Sequence, residues 1–157
     1  MSVKPIPDGY HSITPYLLIK GAAKAIDFYA KAFGAQEKMR LVGPDGRIGH
    51  AELKIGDSHI MLADEHPEMD AFAPETPGRS GVGILLYVEN VDEVVERAVT
   101  AGAEIERPLY DQFYGDRSAT LLDPFGHMWT VATHIEDVTP EEIQQRMEAM
   151  MSGDAPE

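Results

Sequence analysis

Hydrophobic positions along this chain fall into runs of two periods, and the order of those runs repeats. Ile13, Leu17 and Ile19 alternate with Ser12, Thr14, Tyr16 and Leu18, the period of a strand with one covered face. Ala22, Ala25, Ile26, Tyr29 and Phe33 then recur at helical spacing, and Gly34 marks the exit. Ala35 to Val42 and Gly49 to Ile55 read as strands joined by the turn residues GPDGR, and Gly56-Asp57 turns the chain into SHIMLAD, Ser58 to Asp64.

The second half repeats the pattern. Val82, Ile84, Leu86 and Val88 alternate with Gly83, Leu85 and Tyr87; Val91, Val94, Val95 and Ala98 give a helical face that ends at Gly102. Asn90 followed by Glu93 has the form of a capping box. Glu104 to Tyr110 and Arg117 to Leu122 precede DPFG, which suits a type I turn, and a strand follows from His127 to Thr133. Each half therefore reads β-α-β-β-β. The expected fold class is α+β, with two tandem βαβββ modules at residues 10–64 and 81–135 and a linker rich in Pro and acid at 65–80. Thr139 as N-cap, Pro140 at the first helical position and Glu142 at the third open a last helix over 139–151, with a stripe of Ile143, Met147, Met150 and Met151 and a tail expected to fray beyond Ser152.

Charge narrows the partners. Thirteen basic residues stand against 27 acidic ones, a net of −14, and no Lys/Arg cluster is available to neutralise phosphates, so neither nucleic acid nor an anionic membrane is expected. The absence of cysteine removes disulfides, thiolate nucleophiles and thiolate metal sites. No apolar run has the length of a membrane span, and MSVKPIPDGY has no signal-peptide core, so a cytoplasmic protein is expected.

The alternation also sorts side chains by face. Ala51, Leu53 and Ile55 should face the helix, which puts His50, Glu52 and Lys54 on the open face; His59, Met61 and Ala63 oppose Ile60 and Leu62. In the second half Ser118 and Thr120 take the corresponding places, and Trp129 and Val131 on the covered face leave Met128, Thr130, Ala132 and His134 on the other. Such a mixed open face suits a pocket for a small, partly polar organic molecule, although solvent or a dimer partner can cover a sheet face too. The expected lining is Thr14, Tyr16, His50, Glu52, His59, Met61, Tyr87, Thr120, Thr130 and His134, with Gln112, Tyr114 and Arg117 near the rim. Arg117 fits a ligand carboxylate or phosphonate, or one of the chain's own acids. His50, Glu52 and His59 form a candidate catalytic or metal set, with Glu52 as general base; polar residues on a wet wall would have the same pattern. His127 reads as a surface residue of the turn. In the linker Asp64, Glu65, His66, Glu68 and Asp70 have the composition of a metal site or of a solvated acidic loop.

The segments TPYLLIKGAAKAIDFYAKAFGA, IGHAELKIGDSHIMLAD and DQFYGDRSATLLDPFGHMWTVATHIEDV resemble the vicinal oxygen chelate superfamily, which includes glyoxalase I, bleomycin-resistance proteins and extradiol dioxygenases, and within it the PhnB-like branch. The resemblance implies paired modules curled round a cup, commonly in a homodimer, and lyase, isomerase, dioxygenase-like or drug-sequestering function. The superfamily's metal ligands, usually His or Glu, would fall on Thr14, Met61, Gly83 and Thr130. These residues cannot make a divalent-metal site, so no cofactor is expected unless a metal sits at a non-standard place.

Overall fold

In each module the apolar parities of the third and fourth strands are buried against the helices; that of the first strand is buried in the first module and half-buried in the second, which fixes two similar layers. The computed structural model describes residues 3–75 and 81–153; the rest of the linker and the tail after Gly153 lie outside them. The first module runs β1 (Tyr16–Ile19), α1 (Ala22–Phe33), β2 (Gln36–Val42), β3 (Ile48–Ile55) and β4 (Ser58–Asp64). The second runs β5 (Gly83–Tyr87), α2 (Val91–Ala101), β6 (Glu104–Asp111), β7 (Asp116–Leu122) and β8 (Met128–His134), and α3 (Pro140–Ser152) closes the chain. The strand orders are β1-β4-β3-β2 and β5-β8-β7-β6. In both sheets the first pair is parallel and the others antiparallel, because the helix carries the chain from the first strand to the far edge, from which three antiparallel strands return to lie beside it.

The core lies on the helix side of both sheets. Leu17, Ile19, Ala51, Leu53, Ile60 and Leu62 pack against Ala22, Ala25, Ile26, Tyr29 and Ala32 of α1, while Ala119, Leu121, Trp129 and Val131 meet Val91, Val95 and Ala98 of α2. Phe28 and Ala32 are buried as well, so the apolar face of α1 is wider than one sheet requires. The reason is that α1 also serves the second module: Tyr29 and Phe33 stack beside Trp129, with ring centroids 5.3 and 4.7 Å away.

Polar groups in this core are fully used. Asp123, in the DPFG turn, accepts hydrogen bonds from the Tyr29 hydroxyl (2.6 Å), Trp129 Nε1 (2.9 Å) and the backbone N–H groups of Phe125 and His127. Burial, and then the Asp123 carboxylate, hold the Tyr29 phenol well above its usual pKa. The N-terminus of α1 is capped from another strand: Asp64, ending β4, accepts from the N–H groups of Gly21, Ala22 and Ile48. In α2 the Asn90 side chain accepts from the Glu93 N–H, as the capping box requires, and Thr139 accepts from the Glu142 N–H in α3.

Two expectations are corrected. Ile13 is 86% exposed rather than covered, because β1 begins only at Tyr16; Pro15 supplies a carbonyl to Met61 but has no N–H with which to extend the ladder. Val82 likewise precedes β5 and is exposed. Among the described residues no helix is long and apolar enough to cross a membrane.

Candidate functional site

Strand β1 edges the first sheet and β5 the second, and the two edges face one another along an intrachain seam. At one end His127 Nε2 lies 3.1 Å from the Leu18 carbonyl, so His127, expected at the surface, joins the modules. At the other end a cleft of about 530 Å³ opens between Thr14 and Pro15 of the β1 entry, Ser58 and His59 at the head of β4, and Leu85 and Tyr87 of β5. Residues of both modules thus line one space.

Register assigns the open-face rows beside this cleft. Met39, Glu52, Met61 and Tyr16 are cross-strand neighbours on the first sheet; Leu41 and His50 lie in the next row, and Lys54 and His59 in the row beyond Glu52. Side chains in these rows are chained together. The Tyr16 hydroxyl is 2.8 Å from His50 Nδ1, His50 Nε2 is 3.1 Å from Glu52 Oε2, and the Tyr10 hydroxyl donates to Glu52 Oε1. With the ring hydrogen on Nε2, every group has one role: Tyr16 donates to His50, and His50 and Tyr10 donate to Glu52. Burial of the hydroxyl end raises the Tyr16 pKa, which keeps it a donor.

Tyr10 leaves no signal in the sequence, because residues 3–11 carry no period. They form a strap across the first sheet. The Tyr10 ring stacks on His59 with centroids 4.2 Å apart, and the Gly9 carbonyl sits 2.8 Å from His59 Nδ1. Gly9 has φ +83°, and a Cβ there would lie 3.0 Å from His59 Cε1, so the strap's close approach depends on glycine. His59 is thereby separated in role from the His50–Glu52 pair. Among the described residues no group of three or more His, Asp or Glu side chains is arranged to hold a metal ion.

The linker acids have structural partners. Asp64 caps α1, Glu65 accepts from the Ala73 N–H, the His66 ring meets the Asp64 carbonyl, and Glu68 pairs with Arg47. At the superfamily's ligand positions Thr14 lines the cleft, Met61 lies mid-row beside Glu52, Gly83 opens β5 and Thr130 bonds Thr120 across 3.2 Å. A Thr, Met, Gly and Thr set offers no imidazole or carboxylate, and it does not fit a divalent metal.

The second sheet carries its own chain of bonds. Tyr87 donates to Asp116 Oδ2 (2.8 Å), and the two nitrogens of His134 lie 2.8 Å from Asp116 Oδ1 and 2.7 Å from Asp137. These hydrogen bonds, Asp116 first, raise the His134 pKa above its usual 6.5. Gln112 and Tyr114 sit in the β6–β7 turn that leads into Asp116, and neither lines the cleft. Arg117 shares the parity of Ala119 and Leu121, points to the helix side, and grips Asp92 and Asp111. Of the two roles its sequence context left open, the intramolecular one is the one present.

The chain matches the family model described as the Glyoxalase/Bleomycin resistance protein/Dioxygenase superfamily over residues 10–131. It is 41% identical to protein Rv0887c of Mycobacterium tuberculosis over 145 residues, covering 90% of this chain and 85% of that one. Among solved structures, TioX from Micromonospora sp. ML1 is 27% identical with a TM-score of 0.62, and protein PA1353 from Pseudomonas aeruginosa is 26% identical with a TM-score of 0.64. Each of these two covers 80% of this chain and 99% of its own.

Proposed function

Since the chain belongs to the glyoxalase/bleomycin resistance protein/dioxygenase superfamily, we propose that it binds a small organic molecule at the seam between its two open sheet faces and holds it without transforming it. The observation that carries this reading is the 530 Å³ cleft lined from both modules, with aromatic and apolar walls and a few fixed polar groups. The place of Glu52 supports binding over catalysis: it accepts from Tyr10 and His50, and neither Glu52 nor His50 lines the cleft. A general base must lie within hydrogen-bond reach of the proton it takes from substrate. Drug or toxin sequestration belongs to this reading, as does a place in the PhnB-like branch.

A second reading keeps Glu52 as base and His50 as its partner, and one observation favours it. The Tyr16–His50–Glu52 chain is a continuous path for a proton, which a strap swung away from Glu52 would connect to the open face. A compound that binds at the cleft should be recovered unchanged, by mass spectrometry, after prolonged incubation with one equivalent of protein. Product exceeding one equivalent, abolished by Glu52→Gln, would replace the binding reading with the enzymatic one.

A further inference from the structure

Arg107 differs from the other described arginines. Arg40, Arg47, Arg117 and Arg146 grip carboxylates and Arg97 donates to the Lys31 carbonyl, whereas Arg107 has neither kind of partner among the described residues. That is unexpected in a chain with 27 acidic residues against 13 basic ones. The Cα of Arg107 pairs with Thr120 of β7, and Thr120 pairs with Thr130 of β8, so the three share a row on the face away from the helices. Register shifts bracket Arg107 on both sides, and irregularities of this kind re-aim a side chain.

An independent feature lies one row along. Ser118 is only 3% exposed, on the open face, and no hydrogen bond to its hydroxyl forms among the described residues. The oxygen is not sealed in, since among the described residues no fully buried side-chain oxygen or nitrogen lacks a partner. The row runs Tyr110, Ser118, Ala132, Tyr87, so Tyr110 stands directly beside Ser118 and Tyr87 lies beyond Ala132, both tyrosines being largely exposed. The Thr120–Thr130 bond uses one of the two hydroxyl hydrogens and leaves the other to donate. Asp116, the nearest carboxylate along β7, is already bonded to Tyr87 and His134.

We propose that these two adjacent rows are a subsite for an organic oxyanion, a carboxylate or phosphonate carried on an aromatic body. The Arg107 guanidinium pairs with two of its oxygens, Ser118 and the free threonine hydroxyl donate to lone pairs that Arg107 leaves open, and Tyr87 and Tyr110 stand at the two sides of the Ser118 row to meet the body. The subsite rests on the binding reading above and adds the charge class of the ligand.

The test is an NMR titration of the full-length, ¹⁵N-labelled chain at constant ionic strength. The probes are phenylphosphonate and benzoate, with benzyl alcohol and benzylammonium as neutral and cationic controls. The two anions should give saturable shifts at the amides of Ser118, Thr120 and Thr130 and at Arg107 Nε–H, and Arg107→Ala should weaken them about ten-fold or more, as loss of a bidentate charged contact requires. Arg107 is exposed on an edge strand, so the variant keeps its fold, which its spectrum reports directly. Equal binding to Arg107→Ala, or benzylammonium binding as well as the anions, overturns the subsite. If only benzyl alcohol binds, shifting His59 and Leu85, the subsite is wrong and the binding reading stands. If no probe shifts the open face, both fall.

Discussion

At the scale of single residues, the polar groups that matter are those whose partners were settled by packing rather than by neighbours in sequence. His134 shows this with a measurable consequence. Both ring nitrogens face carboxylates, and its pKa is raised above 6.5, so the protonated form is the one the fold favours. The stabilisation it adds is complete below the unfolded value of 6.5 and is lost as pH rises through the raised folded value. Asp116→Asn should bring the His134 titration, followed by its ring proton resonances, back toward 6.5 and flatten stability across that window. A native His134 that titrates at or below 6.5 would contradict the arrangement. Arg117 makes the complementary point: its charge and position in sequence suited a ligand, and only the parity of β7 shows that it faces Asp92.

At the scale of elements, the two modules are held by α1 and the DPFG turn. Tyr29 reaches from α1 to Asp123, and that carboxylate also fixes Trp129 and two turn N–H groups. Removing a hydrogen bond to a buried charged group costs about 1.5–3 kcal/mol, so Tyr29→Phe should lower unfolding free energy in urea by that amount. Asp123→Ala orphans several buried donors at once and should cost more. Losses under about 0.5 kcal/mol for both would show that the modules are held by apolar packing alone. The elements themselves were legible in the chain: helix α1 ends at Gly34, α2 starts at Asn90 and β8 follows DPFG as the periodicity indicates. The periodicity did not disclose the strap, since Gly9 and Tyr10 act through one stacked ring and one carbonyl, contacts that leave no repeating pattern.

At the scale of the whole molecule, sequence placed His50 with Glu52 on one strand face and put Thr120 and Thr130 on the open face, while the register that bonds the two threonines comes from the sheet. It did not place β1 against β5, a juxtaposition set by how α1 and α2 dock, nor disclose that Arg107 has no partner among the described residues. Exposed apolar side chains remain on β2, the outer strand of the first sheet, at Leu41 and Val42. A homodimer that covers them is our reading of this surface, and sedimentation equilibrium should give twice the chain mass at micromolar concentration. A monomer at that concentration would leave that strand to solvent and contradict it. We propose the seam and its open faces as the place where small molecules bind, and a fragment screen by NMR on the ¹⁵N-labelled protein, without prior choice of ligand chemistry, tests this. Hits should shift a contiguous set including Tyr10, His59, Leu85 and Tyr87; hits scattered over the helices, or none at all, would contradict binding at the seam.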